Sequence, residues 1–94
     1  MTTVCFDVDG TLIGIDNRPR WEVIQLFHML NLIGCDVFIW SGGGIDYATM
    51  IRDRLGLKAK IIEKGSMVPD ISVDDQEVTL GRANICVGGL TSLY

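Results

Sequence analysis

Apolar positions along this 94-residue chain fall into short runs, each broken by glycine or by a polar residue. The first run opens with Val4-Cys5-Phe6 and predicts a buried strand over 3–8. Residues 10–17 then read as loop, with Gly10, Gly14, Asp16 and Asn17 as turn residues. Trp21, Ile24, Phe27, Leu30 and Ile33 recur at helical spacing. A helix is expected there, with Pro19 in its first turn, Asp16 or Asn17 capping it and Gly34 ending it. Val37-Phe38-Ile39-Trp40 predicts a second strand, cut by Ser41-Gly42-Gly43-Gly44. Asp46 starts a second helix, where a negative charge suits the positive helix end. Tyr47, Ala48, Ile51 and Leu55 form its apolar face and Gly56 stops it. Further short strands are expected at 59–62, 71–73 and 84–87, while 78–82 carries no pattern that selects an element.

Strand, helix, strand, helix, strand is the order of an α/β fold, here a minimal doubly wound parallel sheet with right-handed crossovers. Residues 1–94 hold no repeat, low-complexity tract or linker, so one domain is expected. A hydrophobic fraction of 48% and a mean hydropathy of +0.32 fit strands covered on both faces. They also leave room for an exposed apolar patch, and hence for a homo-oligomer.

Charge changes the picture once it is located. Of the twelve acidic residues, four (Asp7, Asp9, Asp74 and Asp75) lie just beyond apolar runs, and without them eight acids balance eight bases. No basic stripe of the kind that nucleic acids require is present, so a nucleic-acid partner is not expected. No apolar run approaches the roughly 18 residues of a membrane span, and an aspartate at position 7 argues against a signal peptide. Cys5, Cys35 and Cys86 are odd in number, lie in or beside apolar runs and suit no zinc site. They are expected to be core residues in a reducing, cytoplasmic setting.

The chemistry concentrates in Asp7-Val8-Asp9-Gly10. Alternation along a strand that persisted to its tip would aim Asp7 and Asp9 the same way, and two such carboxylates call for a cation or a shared proton. One aspartate can serve as nucleophile or metal ligand and the other as general acid and base. Ser41 with the amides around Gly42 and Gly43 would form an anion cradle at the end of the second strand. Asp74-Asp75 places two more carboxylates at the end of another strand. In open parallel sheets, strand carboxyl ends are where sites form.

The string Val4-Cys5-Phe6-Asp7-Val8-Asp9-Gly10-Thr11-Leu12 resembles the first motif of the haloacid dehalogenase (HAD) superfamily. Ser41 after an apolar strand looks like the second motif, and Asp74-Asp75 like the fourth. The third motif is a single lysine, for which Lys58, Lys60 and Lys64 are candidates; Lys64, nearest Asp74 and in a Lys-Gly loop, is favoured, then Lys60. The resemblance covers positions 4 to 75.

It implies a Mg²⁺-dependent phosphomonoester hydrolase working through an aspartyl-phosphate. Asp7 would be the nucleophile and Asp9 the acid and base. Asp7, Asp74, Asp75 and the main-chain carbonyl of Asp9 would surround Mg²⁺. Gly10, Thr11, Ser41, Gly42 and Lys64 would bind the phosphate. Asp9 speaks for phosphate chemistry, because the dehalogenases of the family lack it. The 10–20 segment can hold only a small flap and 41–74 is taken up by a helix and a short strand, which implies a capless member with an open site, suited to a small or macromolecular phosphoester. Two other readings share these residues: a non-catalytic binding or regulatory module of the same fold, and phosphoryl transfer to an acceptor other than water. His28 reads as a helix-face residue, Trp21 and Trp40 as core, and Arg18, Arg20, Arg52, Arg54 and Arg82 as surface charges, with Arg18 or Arg20 placed in the flap where substrate could be touched.

Overall fold

The computed structural model describes residues 1–88. It contains strands β1 (Thr3–Phe6), β2 (Asp36–Ile39), β3 (Lys60–Ile61), β4 (Ile71–Asp74) and β5 (Ala83–Cys86), and helices α1 (Trp21–Leu32) and α2 (Ile45–Leu55). The strands form one all-parallel sheet of order β3-β2-β1-β4-β5. From β1 the chain winds outward through β2 to β3, then returns to the other side of β1 for β4 and β5. The carboxyl ends of β1 and β4 therefore flank a topological switch point, where open sheets leave a crevice.

Both helices feed one apolar cluster. Val23, Ile24 and Phe27 of α1 and Ala48 and Ile51 of α2 join Val4 and Phe6, Val37 and Ile39, and Val73, which are alternate residues of their strands and share one face of the sheet. The other face carries Cys5, Trp40 and Ser72, all buried, yet no helix among the described residues. A doubly wound sheet would have helices there; here the connections 62–70 and 75–82 contain none. Two polar atoms on that face, Trp40 Nε1 and Ser72 Oγ, are buried without a hydrogen-bond partner among the described residues.

Several expectations are corrected. β1 stops at Phe6 rather than at residue 8, because the chain curls at once: the amides of Thr11, Leu12 and Ile13 all point at the Val8 carbonyl, at 3.1, 3.0 and 3.2 Å. Pro19 and the residues before it do not start α1. Asp16 and Asn17 have φ of +58° and +59°, two consecutive left-handed residues of the kind that closes a tight hairpin, a conformation Asp and Asn tolerate. Ile13 and Pro19 pair across that hairpin, and the Gly14 amide donates to the Arg18 carbonyl at 2.7 Å. A single 3₁₀ turn at Ile15–Asn17 forms the tip, so the expected loop is an ordered flap.

Trp21, expected in the core, is 64% exposed, as is Ile33 at 74%. Trp21, Ile24, Phe27, Leu30 and Ile33, the last just beyond α1, are spaced three apart, and each such step falls about 60° short of a full turn at ~100° per residue. With Phe27 at the centre, Trp21 and Ile33 swing to opposite flanks. Cys5 is buried and its thiol is pushed up to about 12 by that burial, but Cys86 lies exposed on the edge strand β5. Arg20, expected on the surface, is buried. No helix among the described residues is long and apolar enough to cross a membrane.

Candidate active site at the switch point

Asp7 follows the last residue of β1, and its amide donates to the Val73 carbonyl at 3.0 Å, which extends the β1–β4 ladder by one bond. This register sets Asp7 beside Asp74, the last residue of β4, and Asp75 follows at once. Carboxylate oxygens of Asp7, Asp74 and Asp75 lie within 4.8 Å of one another. Asp7 and Asp74 are buried, and Asp75 is half-buried.

Lys64, from the helix-free connection between β3 and β4, lies between the two buried carboxylates. Its Nζ donates to Asp7 Oδ1 and to Asp74 Oδ2, both at 3.1 Å. Lys60, the other lysine in contention, instead pairs with Asp36 at 3.4 Å and is exposed. The remaining Asp74 oxygen accepts from the Gln76 amide at 3.0 Å. The Thr11 hydroxyl, fully buried, reaches Asp7 Oδ2 at 3.4 Å.

The electrostatics follow from this crowding. Burial, with the neighbouring Asp74 charge adding to it, pushes the Asp7 carboxyl up to about 6 against the opposing pull of Lys64. Burial and Asp74 also raise Asp75. Burial works against the Lys64 ammonium, but its hydrogen bonds to Asp7 and Asp74 outweigh this and hold it above its usual range.

Asp9 stands apart from the other three. Because the strand has ended, alternation no longer governs its direction, and its carboxylate accepts a 2.6 Å hydrogen bond from the Tyr47 hydroxyl of α2. Gly10 has φ +78°, and a Cβ there would collide with the Asp75 carboxylate, so this glycine lets the β1 loop close onto the cluster. At the end of β2, Ser41 is buried and its Oγ accepts from the Gly43 amide at 3.0 Å. That amide, expected to face an anion, is thus engaged, whereas the Ser41 hydroxyl proton has no acceptor among the described residues. Gly42 lies exposed beside it.

Two residues of this region make contacts that their sequence context did not indicate. The Arg20 guanidinium donates through Nη1 to the carbonyls of Gly10 and, at 2.8 Å, Val87, and through Nε to Glu22 at 3.0 Å, which ties the flap root to the end of β5. Tyr47, read from its spacing as a core-facing residue, bonds Asp9. Neither carries a distinctive local pattern. Comparison with models of protein families, with curated proteins and with solved structures finds no match to this chain.

Proposed function

We propose that this chain is a Mg²⁺-dependent phosphomonoester hydrolase that works through an aspartyl-phosphate, in the manner of the HAD superfamily its motifs resemble, with no cap domain over the site. The observation that carries this reading is the meeting of Asp7, Asp74 and Asp75 with Lys64 at the switch point. Three carboxylates face one ammonium, and all the donors are oxygens, a set that suits a hard divalent cation. Asp7, Asp74 and Asp75 would hold it, and when bound it would supply charge neutralisation and polarisation of a phosphoryl oxygen.

The chain's own groups then have distinct tasks. Asp7 attacks phosphorus, and its new bond forms as the bond to the leaving oxygen breaks. Asp9 passes a proton to that oxygen. Lys64 keeps Asp7 oriented and offsets negative charge, while the Ser41 hydroxyl donates to a phosphoryl oxygen. In the second half, Asp9 takes a proton from water as the water oxygen attacks phosphorus, the bond to Asp7 breaks and inorganic phosphate leaves. The short flap at 13–19 leaves the site open to solvent and to a bulky phosphoester.

The test is hydrolysis of an aryl phosphate with and without Mg²⁺, comparing the wild type with Asp7→Asn. Turnover that needs the cation and disappears in the variant is expected. Absence of turnover across a broad phosphoester panel would overturn the hydrolase reading and favour a binding module.

A further inference from the structure

The hydrogen bond between Tyr47 and Asp9 links two parts of the site that the sheet alone does not join. Asp9 is exposed, and among the described residues its carboxylate has one hydrogen-bond partner, the Tyr47 hydroxyl. The phenol is held from behind. A Cβ on Gly43 would stand 2.9 Å from Tyr47 Cδ2 and 3.3 Å from Ser41 Oγ, so the ring lies against the glycine backbone that also serves Ser41. One side chain thus spans from the Ser41 loop at the end of β2 to the turn after β1.

We infer that Tyr47 is a positioning residue for Asp9: by donating to Oδ1 it fixes the carboxyl direction and leaves Oδ2 as the oxygen that carries the proton to the leaving group. This rests on the hydrolase reading above and adds a residue to it. An unheld exposed aspartate rotates about two side-chain bonds, and its two oxygens share the proton equally. A donor at 2.6 Å from Oδ1 removes both freedoms. In the first half-reaction, the Oδ2 proton goes to the leaving oxygen as its bond to phosphorus breaks, giving the free alcohol and the Asp9 carboxylate. In the second, the same oxygen takes a proton from the attacking water. The Tyr47 proton stays on Tyr47 throughout.

The experiment measures kcat and KM for Tyr47→Phe on two phosphomonoesters with Mg²⁺ present. One ester has an alkyl leaving group, which needs a proton, and one has a nitrophenyl leaving group, which needs little help. General acid catalysis is worth about 10²–10⁴-fold, so its partial loss should lower kcat on the alkyl ester about tenfold, and several-fold less on the nitrophenyl ester, with KM little moved. In an Asp9→Asn background, Tyr47→Phe should cost nothing further. If Tyr47→Phe does not fold, Tyr47→Leu, which also lacks the hydroxyl and leaves the Ser41 loop unchanged, should give the same leaving-group pattern. Equal losses on both esters, or losses that multiply in the double variant, would overturn the inference. Turnover that dies with Asp7→Asn but ignores Tyr47 removes this inference alone; a wild type without turnover removes the hydrolase reading and this inference together.

Discussion

Replacing Asp7 by asparagine should make the cation-free protein more stable while removing its proposed activity. Asparagine keeps the shape of aspartate and can still accept from Lys64 through Oδ1 while its Nδ2 donates to the Thr11 hydroxyl oxygen, but it brings no charge beside Asp74. The carboxyl of Asp7 is raised to about 6 in the folded chain from an ordinary value of 3.8. Between those two values the folded chain holds a proton that the unfolded chain has released, so stability falls as pH rises through this window and the loss is complete above it. At about 1.4 kcal/mol per pKa unit, ionised Asp7 costs the fold on the order of 3 kcal/mol at neutral pH, and ~2 kcal/mol once solvent at the mouth of the crevice is allowed for. In a domain of this size that is about 10 °C in Tm. Lys64 stays charged throughout and adds no slope, whereas Asp75, also raised, adds slope of the same sign to both proteins.

The assay is thermal unfolding followed by far-UV circular dichroism in EDTA, from pH 4 to 7.5. The variant should exceed the wild type at pH 7.5, and the gap should close toward pH 4, where both carry a neutral group at position 7. With saturating Mg²⁺ the order should reverse, because binding to the folded state stabilises the protein that binds better. A variant less stable than the wild type at pH 7.5 in EDTA, or a gap that does not change with pH, would refute the electrostatic account.

Three further substitutions test the surroundings. Arg20→Ala leaves the Gly10 and Val87 carbonyls without their buried donor and should cost about 2–3 kcal/mol in urea denaturation, whereas Glu22→Gln, on the exposed side of the same pair, should cost under ~0.5 kcal/mol. Gly10→Ala forces a Cβ into the Asp75 carboxylate at a positive φ; it should lose about 1–2 kcal/mol of stability and weaken Mg²⁺ binding in calorimetry. Ser72→Ala removes a buried hydroxyl that has no partner among the described residues and should change stability by less than ~0.5 kcal/mol or raise it, as measured by the denaturation midpoint.

What the sequence displays and what it hides divide along a physical line. Element order was legible because β1 and β2 carry contiguous apolar runs, cut by Asp7 and by Ser41-Gly42-Gly43-Gly44, and the later strands are short segments rich in β-branched and apolar residues. The adjacency of Asp7 and Asp74 follows from the same runs once β1 and β4 pair in register. Direction was not legible where a contact decides it. Asp9 turns toward Tyr47 because three amides converge on the Val8 carbonyl, a feature of the turn rather than of any residue type. Arg20 is drawn inside by main-chain carbonyls 10 and 67 positions away, which leave no mark in composition. The apolar spacing of α1 announced a helix but not its exposed flanks, because steps of three drift around the axis.

The two sides of the site's energetics are one quantity seen from two directions. Parallel pairing of β1 and β4 obliges Asp7 and Asp74 to end side by side, and like charges so placed repel. Lys64 offsets part of that repulsion through two bonds of equal length, and Thr11 and the Gln76 amide offset a little more. What remains is the excess that raises Asp7 and Asp75. A chain with a limited core retains this cost at a place where hydrophobic residues would remove it. The same excess is what gives a cation its affinity, so any substitution that lowers the cost in EDTA should lower the gain from Mg²⁺. For Asp7→Asn and for Asp75→Asn the two changes should rise together, whereas Ser72→Ala, on the same sheet face but outside the cluster, should leave the response to Mg²⁺ unmoved whatever its small effect on stability.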